Sequence, residues 1–306
     1  MSKYIAAKIL MIKPVNFGFN ISTVETNVFQ KNISDFLTCR QIQELALLEF
    51  ENAVQILKKE GIEVIVYEDT FDPLTPDSIF PNNWFATFPD GNLLTFPMAV
   101  KNRANERRSD IIEDLKSRFR YKINRSLEVF ENENLALEGT GSLVFAHFSK
   151  IGYAALSLRT NVKVIEAFSK ITDYEIVTFQ AFGPQQEPIY HTNVMMCMTD
   201  QFALIGTETI SPEEREKVME SIKNLGKEII ILTNEQIYKH FAGNMIQLQN
   251  ANDEKLLIMS SNAYQSLTQE QLELLSSFNH KLVSIPVNMI ETIGGGSIRC
   301  MIAEIF

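Results

Sequence analysis

At 306 residues, 45% hydrophobic and 22% charged, the chain has the composition of a globular protein with enough apolar mass for a core. Its formal net charge of -10 argues against nucleic acid or an anionic membrane surface as partner, since both need clustered positive charge. Three cysteines (Cys39, Cys197 and Cys300) make no disulfide framework, no C-x-x-C pair marks a metal site, and no run of about 18 apolar residues marks a membrane span.

The first stretch, YIAAKILMIKP, is apolar but broken by Lys8 and Lys13. It is too short for a signal-peptide core plus cleavage site and reads as a strand over 4–13, so a reducing cytoplasm is the expected compartment. Helical patterns follow at 41–61, 105–119, 161–170, 211–226 and 268–279. Ser211, Pro212 and Glu214 form a start signal, Thr268 with Gln271 forms a second capping box, and Gly61 and Gly226 suit helix C-termini. A β-branched strand is expected after each helix, at 62–69, 127–132, 174–183, 227–233 and 280–287. A polar turn and a hairpin come next each time, as in FPNNWFATFPDGNLLTF and YHTNVMMCMTDQFALIG. The last of these segments, GGGSIRCMIAEIF, lacks its second strand, which the N-terminal strand can supply.

The polar turn residues Asn83, Glu138, His191, Asn244 and Cys300 are spaced 55, 53, 53 and 56 residues apart. A fixed period of this size implies structural repeats. The fold expected is α/β: one domain over 1–306, built as a five-fold pseudosymmetric propeller of ββαβ modules closed into a ring. In a propeller, equivalent positions face one axis. Residues remote in sequence, Glu138, His191 and Cys300, then share a pocket.

A thiol, an imidazole and a carboxylate in one pocket suit nucleophilic catalysis, with the imidazole carrying protons and the carboxylate orienting it. The glycines before Cys300 allow close backbone approach. Cys197, in VMMCM, reads as buried filler, and Cys39 as a helix-start or core residue. His147, His240 and His280 lie off the turn positions and read as surface or satisfied polar residues. The glycines of EGTGS and GGGS match no phosphate-loop pattern. The charged run 101–120 reads as a solvated helix face.

LEGTGS, HTNV and GGGSIRCM, in this order and at repeat spacing, resemble the signature motifs of the guanidine-modifying enzymes, the pentein superfamily. Arginine deiminases, dimethylarginine hydrolases and amidinotransferases belong to it. With its FPNNW segment the chain is most similar to the citrulline-utilisation hydrolase type (CtlX). The resemblance implies a hydrolase with Cys300 as nucleophile, His191 as general acid/base and Glu138 as the carboxylate that binds His191 and substrate. It also implies that Arg159 pairs with a substrate α-carboxylate, a bidentate geometry suited to arginine. Where deiminases and amidinotransferases carry guanidinium-binding aspartates, this chain has Asn193 and Asn83 (or Asn82), with Asp77 nearby as a carboxylate that could restore one. An amide donates and accepts, whereas a carboxylate only accepts. The expected substrate is therefore a small ureido or guanidino amino acid, citrulline-type preferred, with no metal and no cofactor. Arginine or methylarginine deimination, amidino transfer and a non-catalytic binding role are the alternatives. Beyond the substrate, neither nucleic acid nor membrane is expected as partner, and a homodimer is left open.

Overall fold

The apolar runs become strands of two kinds. In the computed structural model, which describes residues 2–33, 35–119, 121 and 123–306, Asn92–Thr95 is buried along its whole length, whereas Glu63–Glu68 is exposed at both ends and buried only at Ile65. The first is an inner strand flanked on both sides. The second is the outer strand of its sheet.

Among the described residues the strands form five three-stranded sheets. β1 (Lys8–Lys13) and β2 (Glu63–Glu68) belong to one. β3 (Phe85–Thr87), β4 (Asn92–Thr95) and β5 (Ile123–Ser126) form the next, followed by β6 (Val144–Ala146), β7 (Ile151–Ala155) and β8 (Glu175–Phe179). The remaining two are β9 (Met196–Met198), β10 (Phe202–Ile205) and β11 (Glu228–Ile231), then β12 (Ile246–Gln249), β13 (Lys255–Ser260) and β14 (Lys281–Ile285). In each, the first strand runs antiparallel to the middle one, and the middle one parallel to the outer one. A parallel pair needs a crossover, and helices Cys39–Lys59, Ser109–Phe119, Val162–Thr172, Pro212–Asn224 and Gln269–Ser277 supply it.

Among the described residues no strand precedes β1 to pair with it. β15 (Ala303–Ile305) takes that place, pairing antiparallel with β1 (Leu10 opposite Ala303, Lys8 opposite Ile305). The five ββαβ modules therefore close as an α/β propeller, with the chain's two ends in one sheet.

The crossover helices form for legible reasons. Helix Cys39–Lys59 buries Ile42, Ala46, Phe50, Ala53 and Leu57, a stripe on one face. Thr38 with Gln41 and Thr268 with Gln271 make complete capping boxes. Gly61 and Gly226 adopt left-handed φ of +83° and +71° beyond their helix ends. Ser211 makes no side-chain cap bond: Glu214 instead accepts the Gln180 N–H, at 2.5 Å, and the Ser211 hydroxyl.

Two further expectations need correction. The strand expected at 127–132 lies earlier, at β5, and Glu128–Glu133 forms a 3-10 helix. One helical turn sets Glu128 and Glu131 side by side, where both reach Arg107. The run 101–120 is not a solvated face throughout: Arg103 and Glu106 are 2% and 3% exposed, because they close on each other in the interior. Arg120, at its end, lies outside the described residues.

Candidate active site

Each turn residue comes just before the first strand of its module, and none is more than 3% exposed: Asn83, Glu138, His191, Asn244 and Cys300. Hydrogen bonds tie them together across modules. His191 Nε2 meets Glu138 Oε2 at 2.8 Å. An ionised carboxylate only accepts, so Nε2 carries the proton. Asn244 Nδ2 lies 3.2 Å from Cys300 Sγ, and Asn193 Nδ2 lies 3.4 Å from it.

The approach to Cys300 depends on a backbone turn. Helix Asn288–Gly294 ends at Gly295, whose φ of +62° is left-handed. The Gly295 carbonyl accepts the Tyr190 hydroxyl at 2.5 Å, which fixes this turn against the module carrying His191.

Cys300, His191, Asp77, Asn83, Arg103 and Arg159 line one cavity of about 10 Å³. Arg103 is its organising cation. It pairs with both oxygens of Glu106 at 2.8 and 2.9 Å, donates to Asn83 Oδ1 at 2.9 Å, and stands 3.5 Å from Glu138 and 3.6 Å from Asp77. Arg159 lies 3.5 Å from Glu138, donates to the Thr26 hydroxyl at 2.7 Å and stacks 4.9 Å over the Tyr190 ring. The segment after β1 packs against the site: Asn27 lines the cavity and donates to the Gly294 carbonyl, and Asn20 donates to Asp77 Oδ2 at 2.8 Å.

Burial alone would raise the Glu138 pKa, but Arg159, the His191 hydrogen bond and Arg103 outweigh it and hold the carboxyl well below its usual range. Burial lowers His191 to about 4 against the pull of Glu138. At neutral pH the pair is a neutral imidazole on a carboxylate, the form that can take a proton. Asp77 is raised by burial, with Arg103 and Asn20 opposing.

The structure thus brings Cys300, His191, Glu138, Asp77, Asn83 and Arg159 together. Asn193 faces the sulfur rather than the cavity, and Asn82 stands behind Asn83, accepting its Nδ2 at 3.1 Å. Sequence reasoning missed Arg103, Glu106 and the Asn20–Asn27 segment. The available signals were a Arg-x-x-Glu pair inside the charged run and an unassigned connection of some two dozen residues, long enough to suggest function. A larger cavity of about 430 Å³ lies among the hairpin ends, with Cys197, His147, Arg299 and Glu304 in its wall, but neither His191 nor Cys300 lines it. Cys197 there is buried, its thiol pushed up to about 12 by burial, as suits filler.

Solved structures share the fold. The N-terminal domain of ArgZ, an arginine dihydrolase of the ornithine-ammonia cycle in cyanobacteria, covalently bound to a reaction intermediate, superposes with a TM-score of 0.74 at 18% identity, over 98% of this chain and 97% of that one. Unliganded AgrE gives 0.75 at 15% identity, over 98% of this chain. A dimethylarginine dimethylaminohydrolase adduct with S-methyl-L-thiocitrulline gives 0.65 at 15% identity, over 98% and 99% of the two chains. The chain spans about 40% of the length of full-length ArgZ and 39% of AgrE. No curated protein sequence matches it. The family model for N,N dimethylarginine dimethylhydrolase, eukaryotic, matches residues 13–306, so the chain belongs to that family of pentein, guanidine-modifying hydrolases.

Proposed function

We propose that the whole chain acts as one unit that hydrolyses a carbon–nitrogen bond at the ureido or guanidino carbon of a small amino acid, with a citrulline-type ureido group preferred. One observation carries the reading: a cysteine sulfur, a neutral imidazole on a carboxylate and two buried arginines meet around one cavity.

The steps follow from these groups. His191 takes the Cys300 proton, and the sulfur attacks the ureido carbon. Ammonia leaves with the proton held by His191, and a carbon–sulfur adduct remains. His191 then takes a proton from water, the hydroxide attacks the same carbon, and the carbon–sulfur bond breaks with the proton returning to sulfur. The resulting carbamate splits into amine and carbon dioxide. Among the described residues, Arg159 meets the Thr26 hydroxyl and one carboxylate at 3.5 Å, which leaves it donors for an α-carboxylate.

The ureido preference is supported by the amide of Asn83 and by Arg103. A guanidinium substrate would bring a second cation beside the Arg103 charge. Arginine is the competing substrate, and a specific observation favours it: Asp77, which lines the cavity, has a buried Oδ1 with no hydrogen-bond partner among the described residues. The arginine dihydrolase activity of ArgZ points the same way. At about 10 Å³ the cavity is far below the several hundred Å³ of ordinary ligand pockets. Binding therefore requires the cavity to widen.

The test is a panel of citrulline, arginine, methylarginine and agmatine with ammonia and amino-acid products quantified, plus mass spectrometry for an adduct on Cys300. Citrulline turnover with a Cys300 adduct is expected. A Cys300→Ser variant within about tenfold of wild type, only ~1.4 kcal/mol of barrier, overturns the covalent route, and preference for arginine or methylarginine overturns the ureido reading.

A further inference from the structure

The repeat spacing marks Asn244, yet the chemistry proposed above gives it no task. Its side chain is fully buried, and both ends of its amide are engaged. Oδ1 accepts the Arg299 N–H at 3.1 Å. Nδ2 lies 2.9 Å from the Asn193 carbonyl oxygen and 3.2 Å from Cys300 Sγ. These contacts fix which way the amide faces. Turned over, its oxygen would oppose the Asn193 carbonyl oxygen and the sulfur, acceptor against acceptor, while its NH₂ opposed the Arg299 N–H. One amide hydrogen goes to the carbonyl and the other to the sulfur. Asn193 has no such constraint: its Nδ2 and Oδ1 lie 3.4 and 3.7 Å from the same sulfur, so either end can face it.

On this geometry we propose that Asn244 is a positioning residue for the nucleophile. It is an N–H donor of fixed orientation that holds the Cys300 sulfur in one place and donates to the negative charge the sulfur carries when it attacks. Hydrogen bonds to an ionised acceptor are about twice as strong as neutral ones, so the contact is strongest while the sulfur attacks. Asn244 acts through Cys300 and not on substrate, since it does not line the cavity. Its acceptor end is anchored one residue before the nucleophile, so the same side chain sets both the sulfur and the backbone that carries it. This inference rests on Cys300 being the nucleophile.

The test compares Asn244→Ala with Asn244→Asp. Aspartate keeps the shape and the acceptor for the Arg299 N–H, but sets a carboxylate oxygen where the amide N–H faces sulfur. If Asn244 merely braced the chain, aspartate would be the milder change. If it is the donor, aspartate is the harsher one. Two readouts are taken: iodoacetamide alkylation of Cys300 in the intact protein, followed by peptide mass spectrometry from mildly acidic to alkaline pH, and steady-state kinetics on citrulline. Loss of one donor to a charged group lowers alkylation at neutral pH and kcat about 10- to 100-fold in the alanine variant, with KM changed little. The aspartate variant falls lower still, and both recover alkylation toward wild type in alkaline solution. An aspartate variant equal to or faster than the alanine one, or alkylation within about twofold of wild type in both, overturns the proposal. Should either variant not fold, Asn244→Ser, too short to span to the sulfur, is read against wild type, and a rate within the same twofold overturns it. Alkylation needs no substrate. If no compound in the panel turns over but Cys300 reactivity still depends on Asn244, the functional reading fails and the positioning role stands. Intact dependence of turnover on Cys300 with alkylation indifferent to Asn244 gives the reverse.

Discussion

Gly141→Ala tests how closely the modules must approach at the site. Gly141 lies in the short helix Gly139–Ser142, and its φ is not in the left-handed region, so alanine introduces no backbone strain. The methyl group alone is the perturbation. A Cβ there would sit 2.5 Å from Asn83 Nδ2 and 2.7 Å from both Cε1 and Nδ1 of His191. Ordinary contact begins at 3.4 Å, so the imidazole must retreat by about 0.7 Å. It is held at 2.8 Å by Glu138, so retreat also breaks the proton carrier's alignment. Overpacking of this kind costs about 1–3 kcal/mol of stability, and a misplacement near 1 Å lowers catalysis about 100-fold. The assay is kcat on the best substrate of the panel together with chemical denaturation. Gly226→Ala is the control: its φ is +71° with nothing within 4 Å of an added Cβ, so it should lose stability with kcat intact. A Gly141→Ala enzyme with wild-type kcat would refute the claim that Gly141 sets the His191 position.

Three further outcomes are expected. Arg103→Met strips the shared cation from buried Asp77, Glu106 and Glu138 and should cost about 3–5 kcal/mol in denaturant unfolding; pairing it with Glu106→Gln should recover part of the loss, and additive losses would count against the ion cluster. His191 has a folded pKa of about 4 against an ordinary 6.5, so its folded form disfavours the charge. The stability it contributes is present above about 6.5 and lost as pH falls toward 4, by about 3 kcal/mol in all; Glu138, held low, adds loss in the same direction below its ordinary value of 4.5. The stability difference between wild type and His191→Gln should therefore grow from pH 4 to 6.5 and then level, and a difference flat across that window contradicts the assignment. Asn193→Asp should cut citrulline turnover, because a carboxylate would face the Cys300 sulfur at the present 3.4 Å, and unchanged turnover would remove Asn193 from the site.

What was legible in the sequence was whatever repeats. The 53–56 residue spacing placed five buried turns, and the missing partner for the last strand placed β1 beside β15, because a closed ring leaves only one pairing for that edge. Glu138, His191 and Cys300 were readable since each module puts its turn at the axis. Arg103 and Glu106 were not, for their burial depends on each other and on carboxylates from other segments, while alone each looks like a surface residue. The segment carrying Asn20, Thr26 and Asn27 has no periodic pattern at all, and only its contacts with Asp77, Arg159 and Gly294 show why it is there. The misplaced fifth strand came from reading Val129 and Phe130 by propensity, when the Glu128 and Glu131 ion pairs with Arg107 decide the local turn.

The charges around the cavity connect these points to selectivity. Asp77, Glu106 and Glu138 are buried carboxylates; Arg103 takes both oxygens of Glu106 and lies within 4 Å of the other two. Those carboxylates are therefore already partnered by a cation the protein supplies, and the amide of Asn83, which accepts from that same cation, adds no negative charge of its own. On the proposed reading, a neutral ureido group enters such a site without displacing an ion pair, giving an N–H to Asp77. A guanidinium can reach the unbonded Asp77 Oδ1, but it does so beside the Arg103 cation, whose pKa stands above its usual value because Glu106, Asp77 and Glu138 outweigh its burial. On the proposed reading, replacing Arg103 by a neutral residue weakens citrulline use and leaves Asp77 free for a cation, while Glu138 keeps Arg159 and His191. The ratio of arginine to citrulline turnover in Arg103→Met should rise even as both rates fall, and a ratio that stays fixed would mean that Arg103 holds the site together without choosing what it accepts.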